Sequence, residues 1–239
     1  MIAGEPNAAA ATEDFEFQAL REAVNYRHAL IREFQDFLKG NVIEIGAGIG
    51  QITAHLLELP AITKLISVEP DAGLCRQHRT QFPEHTLIEG TIGEIASDGT
   101  WDAILSINVL EHIEHDEAEL ARYAALLRER RGAFCVLVPA RPEIYAPIDK
   151  DFGHFRRYTR PELARKLTAA GFKIIRLSYF NFIGYFAWWL NFCLLKQRTF
   201  EPSKVRFYDR QIFPAVHWWE SKISRPPVGQ SLIAIAEAK

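Results

Sequence analysis

The sequence is poor in cysteine, with only Cys75, Cys135 and Cys193 among 239 residues. Three widely spaced thiols in apolar company cannot make a complete disulfide framework, and they lack the close pairing of a zinc site. They read as buried free thiols of a reducing compartment. Long apolar runs are missing as well. The longest, Phe180 to Leu195, is shorter than the ~20 residues needed to span a bilayer and is broken by Asn181, Gly184 and Asn191. No positive-then-apolar segment followed by small residues opens the chain, so no secretory leader is expected and a cytoplasmic location is. Stacking motifs, zinc-ligand spacing and basic helices of recognition type are absent, which excludes the common nucleic-acid modules.

A strong net charge is lacking overall, at −2, but not locally. Residues 1–138 hold 11 Lys and Arg against 22 Asp and Glu, and residues 139–227 hold 16 against 7. Such polarisation can steer an anionic ligand or surface toward the second half.

What the sequence has is strand–helix alternation. Residues 1–11 are Ala-rich and expected to fray. Residues 12–38 have helical periodicity behind Thr12 as cap. Apolar runs at 42–45, 64–68, 86–89, 102–107 and 133–138 predict strands, with helices at 51–58, 71–80 and 116–129 and a weaker one near 92–96. A further helix at 160–170 has Thr159 as cap and Pro161 in its first turn, and Gly171 ends it. Two more strands are predicted near 172–180 and 230–236. Nearly continuous apolar strands between helices imply a parallel sheet covered on both faces, an α/β doubly wound fold. An aromatic insertion, 181–228, precedes the last strand.

The stretch Val42-Ile-Glu-Ile-Gly-Ala-Gly-Ile-Gly50 reads as a buried strand running into a glycine turn. A dinucleotide fingerprint places its third glycine three residues after the second. Here Gly46, Gly48 and Gly50 are spaced by two. Glu44 lies inside the strand, where a carboxylate would repel a pyrophosphate and would cost several kcal/mol if isolated. Glu44 therefore suggests a cationic ligand without phosphate, such as S-adenosylmethionine. Glu69, at the end of the next strand, is placed to take both ribose hydroxyls, a role compatible with either cofactor.

With these residues the sequence resembles the class I S-adenosylmethionine-dependent methyltransferases from about Tyr26 to the C-terminus. Residues 42–50 match the first motif, Ser67-Val-Glu-Pro-Asp71 the second, and Trp101–His112 the fourth strand and the loop lining the methyl-donor pocket. The resemblance implies a seven-stranded, Rossmann-like sheet, mostly parallel with an antiparallel last strand. It also implies S-adenosyl-L-methionine as cofactor, held by Tyr26, Glu44, Gly46, Ala47, Gly48, Gly50, Glu69, Pro70, Asn108 and Val109. The family's acid for the adenine amino group is replaced by Thr91, so the Thr91 hydroxyl or a backbone group of Ile92 is expected to serve.

The loop after the fifth strand, residues 145–159, resembles a Gly-His-x-Arg-Arg-Tyr signature found in a subset of these enzymes. A neutral imidazole can take a proton as a methyl group is transferred, so His154 is the candidate base with Asp149 to orient it. Arginines there could hold an anionic group on the acceptor. His112, Tyr145, Arg157, Tyr158 and Trp188 are the candidate substrate contacts. His112 and His115 invite a metal reading, but no third ligand comes from another segment, so no metal is expected.

The expected organisation is one domain. Residues 1–40 form a helix covering the cofactor site, 41–180 and 229–239 the core, and 181–228 an aromatic lid. The expected activity is methyl transfer to O, N or C of a small or lipid-like acceptor, with an anionic group on it as one option. A non-catalytic S-adenosylmethionine-binding protein and, more remotely, an NAD-dependent oxidoreductase are the alternatives. Trp188, Trp189, Trp218 and Trp219 near Lys196, Arg198, Lys204 and Arg206 suggest peripheral membrane contact. The sequence leaves the oligomeric state open.

Overall fold

The apolar runs pair as strands because each can bury side chains on both faces. A computed structural model describes residues 21–95, 100–222 and 226–239. The strands are β1 (Gly40–Ile45), β2 (Ile62–Glu69), β3 (Leu87–Glu89), β4 (Ala103–Ile107), β5 (Ala133–Pro139), β6 (Phe172–Phe180) and β7 (Ser231–Ala238). They form one sheet in the order β3-β2-β1-β4-β5-β7-β6. β1 to β5 are parallel, and β7 runs antiparallel between β5 and β6. This is the Rossmann-like doubly wound sheet expected, with all seven strands close to their predicted positions.

Successive residues feed opposite layers. Ile43, Ile104 and Phe134 join Leu120, Tyr123 and Leu127 of α4 (Asp116–Leu127) and Leu163 and Leu167 of α6 (Arg160–Ala169). Val42, Leu105 and Cys135 pack instead on Leu30, Ile31 and Phe34 of α1 (Val24–Phe34) and on Leu56 of α2 (Thr53–Leu57). Full burial of such side chains contributes about 1.5–3 kcal/mol each. Thr159 caps α6 by accepting the Glu162 N–H at 3.2 Å, as predicted. The predicted Thr12 cap and the helix before residue 21 lie outside the described residues, as does the end of the 92–96 helix. A 3₁₀ turn spans Ile92–Glu94.

Between β2 and β3 lies α3 (Ala72–Gln81), capped by Asp71, which accepts the Leu74 N–H. The loop after β5 contains a short helix the sequence did not signal, α5 (Pro147–Asp151). The insertion is helical: α7 (Phe182–Trp188) continues as a π-turn through Leu194, α8 (Pro202–Phe207) through Ile212, and α9 (Phe213–Lys222) follows. Trp188 and Phe192 seat α7 on Ile144, Ile148 and Phe152 of the post-β5 loop. Among the described residues, no helix is long and apolar enough to cross a membrane. Cys75 and Cys135 are buried free thiols, and Cys193 is a half-buried one.

Candidate active site

Strand order reverses between β1 and β4, which opens a crevice at their carboxyl ends, where ligands bind in such sheets. The glycine turn leaves β1 there, and Gly46, Gly48 and Gly50 all have positive φ. A side chain at Gly46 would stand 2.4 Å from Val109 Cγ2, and one at Gly50 2.4 Å from the Phe82 ring. These glycines therefore answer both a backbone requirement and a close approach. Glu69 ends β2 beside the turn. Its Oε2 accepts the Gly48 N–H at 2.8 Å and its Oε1 the Asp71 N–H at 2.9 Å. Pro70 and Thr91 are exposed at the same edge, and Ala47 is buried in the turn. The Ile92 side chain is core, so only its backbone is available. Asn108 leaves β4 in the left-handed region and lines the adjoining cavity.

Glu44 differs from expectation. It is buried inside the sheet layer, and its Oε2 accepts the hydroxyls of Thr53 and Ser67, each at 2.6 Å. Those hydroxyls also meet His78 Nε2 and His85 Nε2, so the carboxylate is the centre of an internal network beneath the turn. Burial raises its pKa to about 7, with Glu69 adding to the rise against the two hydroxyl bonds. The argument that Glu44 selects a cationic ligand is thus corrected: its partners are neutral protein hydroxyls.

A cavity of about 410 Å³ lies between the sheet edge and the insertion. Its walls include Tyr26, Phe152, Trp188, Phe192, Phe200 and Phe207. Tyr26 packs its ring against Phe180 and Phe213, both at 5.3 Å. Burial lifts its phenol well above the ordinary range, against a hydrogen bond with Ser231. The polar end of the cavity holds Asn108, His154 and Arg157.

His154 and Asp149 come together as predicted. Nδ1 of His154 lies 3.0 Å from Asp149 Oδ1, and Asp149 Oδ2 accepts the Ala146 N–H at 2.8 Å. Although burial opposes its ionisation, bonds from His154 and Arg157 hold the Asp149 carboxyl below its usual range. An ionised Asp149 calls for the proton on Nδ1, so that in the neutral ring Nε2 carries the lone pair. That Nε2 is buried without a hydrogen-bond partner, 4.0 Å from Glu111 Oε1.

Three substrate expectations are corrected. Tyr158 is core: its hydroxyl lies 2.7 Å from Asp116 Oδ2 and 3.1 Å from the Leu110 carbonyl. Its segment bridges the end of β5 at Ala140, so alternation turns Arg157 toward the cavity and Tyr158 away. Tyr145 braces the loop from outside, donating to the His154 carbonyl at 2.7 Å. Arg157 lines the cavity, but its Nε and Nη2 are on Asp149 and its Nη1 on the Ala140 carbonyl, while Arg156 is on Asp116. Neither arginine is left to hold an anionic acceptor. Trp188 does line the cavity, its ring 4.3 Å beneath the Arg157 guanidinium.

The basis for dismissing a metal is also corrected. His115 is exposed at the start of α4, apart from the others, but His154 arrives from another segment. Ligand atoms of Glu111, His112 and His154 lie within 4.8 Å of one another. Sequence reasoning passed over Asn181, Asp209 and Glu220, which tie the insertion to the core. Asn181 accepts from Tyr208 OH and donates to Gln230, and Glu220 accepts the Asn181 N–H. A polar residue opening an aromatic run was the one available signal.

Residues 17–177 match the family described as a methyltransferase domain. No curated protein matches the chain. Similar solved structures include a chain of the Haloferax volcanii complex between the Trm112 methyltransferase activator and a methyltransferase, at 13% identity over 99% of both chains and a TM-score of 0.63. A SAM-dependent methyltransferase from Thermotoga maritima is 17% identical over 98% of this chain and all of its own, with a TM-score of 0.61. A third, the S-adenosylmethionine-dependent methyltransferase of Mesorhizobium loti, is 14% identical over 87% of this chain and 95% of its own, at 0.59. These identities establish a shared fold.

Proposed function

The chain belongs to the methyltransferase-domain family and is an S-adenosylmethionine-dependent enzyme, and from that premise we propose that its acceptor is a small or lipid-like molecule with a largely apolar body. The observation that carries this reading is the aromatic wall of the cavity, together with the engagement of Arg157 by Asp149. A neutral acceptor fits such a space better than an anionic one, because a buried anion without an available cation is costly.

The residues at the sheet edge suit the methyl donor. The glycine turn bends through positive φ at the carboxyl end of β1, and the Glu69 carboxylate suits a ribose diol. Tyr26, Asn108 and Val109 flank the same crevice. Sulfonium supplies an already activated methyl group, so the protein's main task is alignment of the acceptor with it. Loss of the acceptor's proton is assigned to His154, which lines the cavity and is oriented by Asp149.

The test supplies methyl-labelled S-adenosylmethionine with a total lipid extract and, separately, with an aqueous metabolite extract. Label is expected in the solvent-extractable fraction. Labelling confined to charged aqueous products would overturn the acceptor class. His154→Ala should leave cofactor affinity nearly unchanged and lower transfer by about 10²–10⁴-fold. Undiminished transfer in that variant would remove His154 from the chemistry.

A further inference from the structure

We propose that Glu111, His112 and His154 form a site for one divalent transition-metal ion at the polar end of the cavity. For its place in the reaction the proposal rests on the acceptor reading above, but ion binding itself does not. Glu111 and His112 come from the 3₁₀ turn Leu110–His112 after β4, and His154 from the loop after β5. The three therefore converge from two segments, which neighbours in one loop would not do. The two imidazoles meet edge to face with centroids 4.6 Å apart.

The His154 geometry points to a cation. Its Nδ1–H is committed to Asp149, and the remaining lone pair at Nε2 is aimed at a carboxylate oxygen 4.0 Å away. A lone pair facing a carboxylate is repulsive unless a proton or a cation lies between them. The gap is too long for a hydrogen bond. It is short enough for both atoms to reach one ion through bonds of about 2.1 Å.

Second partners are those that metal-bound histidines use. Such residues donate the other ring N–H to a carboxylate or a backbone carbonyl. Here Asp149 accepts the Nδ1–H of His154, and the Phe152 carbonyl accepts from His112. Arg157 pairs with Asp149, and the buried Glu111 carboxylate supplies negative charge beside the ion. Ligand atoms of a tetrahedral ion stand about 3.4 Å apart. The spread of up to 4.8 Å therefore closes by up to about 1.4 Å, movement available to His112 at the exposed edge. Two imidazoles and one carboxylate suit Zn²⁺, Mn²⁺, Fe²⁺ or Co²⁺ better than Mg²⁺.

His154 lines the cavity, so an ion held by three protein ligands would have an open position within reach of an acceptor there. An acceptor hydroxyl there gives its proton to water more readily, as ligands of such ions do. Its oxygen pair then forms the bond to the methyl carbon, and the carbon–sulfur bond breaks with its electrons passing to the sulfonium. With the ion bound, His154 is a ligand in place of the base assigned above, and the hydroxyl proton passes to water.

The experiment begins with full-length protein dialysed against a chelator and then titrated with Co²⁺, following visible absorption and calorimetric heat. One ion per chain is expected, weakened at least 30-fold in Glu111→Gln, His112→Ala and His154→Gln. His115→Ala, three residues away and exposed, is expected to bind like the wild type. His112 lies at the exposed edge, so its variant keeps the test valid if the buried ones fail to fold. Absence of binding at millimolar Co²⁺ would overturn the site. Binding undiminished by His112→Ala would overturn it equally. Full methyl transfer by chelator-treated enzyme that still binds Co²⁺ on addition would overturn the ion's role and leave the acceptor reading in place.

Discussion

Asp209 closes the first turn of α1 from the far side of the cavity, its Oδ1 accepting the Tyr26 N–H at 2.9 Å. Oδ2 accepts the Asn25 N–H at the same distance. The helix has no side-chain cap of its own at Ala23, so a residue in the insertion supplies it. The carboxylate also meets the positive end of the helix dipole. Asp209→Ala is expected to lower stability by about 1–2 kcal/mol. Because Tyr26 faces the cavity, the same change should weaken S-adenosylmethionine binding several-fold. Urea unfolding and calorimetry check both, and a variant as stable as the wild type would show that the cap is not what holds the insertion to the core.

Glu69 is tested through its charge. Glu69→Gln keeps the shape but turns an amide donor toward the Gly48 or Asp71 N–H and removes the acceptor for a ribose diol. Affinity for S-adenosylmethionine and S-adenosylhomocysteine should fall together by about tenfold or more, a loss of ~1.4 kcal/mol. NAD should bind neither protein. Equal affinities in wild type and variant would remove Glu69 from the ribose site.

The elements were legible where local chemistry decides them. Thr159 and Pro161 announce α6, and the continuous apolar runs announce the sheet, because caps and burial act over a few residues. Glu44 misled because its partners, Thr53 and Ser67, are set by the fold and carry no signal at the strand itself. Tyr158 misled because a motif gives neighbours but not faces, and one step along an extended segment carries a side chain from cavity to core. The meeting of His154 with Glu111 spans 43 residues and depends on how the loop after β5 folds back, which no spacing rule reports.

The outer face of the insertion helix predicts membrane contact. Tyr185, Trp188 and Phe192 turn inward, while Phe186, Trp189, Leu190 and Leu194 are exposed on the other side. Phe182 and Trp219, 5.9 Å apart, extend this surface toward α9. We expect the protein to sediment with vesicles containing anionic phospholipid, and Trp189→Glu with Leu190→Glu to abolish this. Arg198, Lys204 and Arg206 are already paired with Asp151, Glu201 and Glu22, so salt should weaken binding only modestly. Equal sedimentation with and without vesicles would dispose of the idea.

Glu44 gives the protein an unusual pH term. Its folded pKa of about 7 exceeds the ordinary 4.5, so the folded state holds the proton more tightly. Its contribution is fully present below pH 4.5 and is lost as pH rises through about 7. His78 acts in the opposite sense within the same network. Burial, with His85 adding to it, lowers its pKa to about 4, and stability from that group is lost as pH falls from 6.5 toward 4. The two act in opposite senses over the same window. Glu44→Gln removes one of them. Relative to the wild type, the variant should therefore gain stability between pH 4.5 and 7, by on the order of 3 kcal/mol across the window. Asp116 and Asp149, whose pKa values are depressed, lose their contributions only below 3.8 and do not enter this range. Denaturant unfolding of both proteins at pH 5 and pH 8 measures the difference. A gap independent of pH would mean that Glu44 is ionised throughout, with its charge accommodated by the Thr53 and Ser67 hydroxyls.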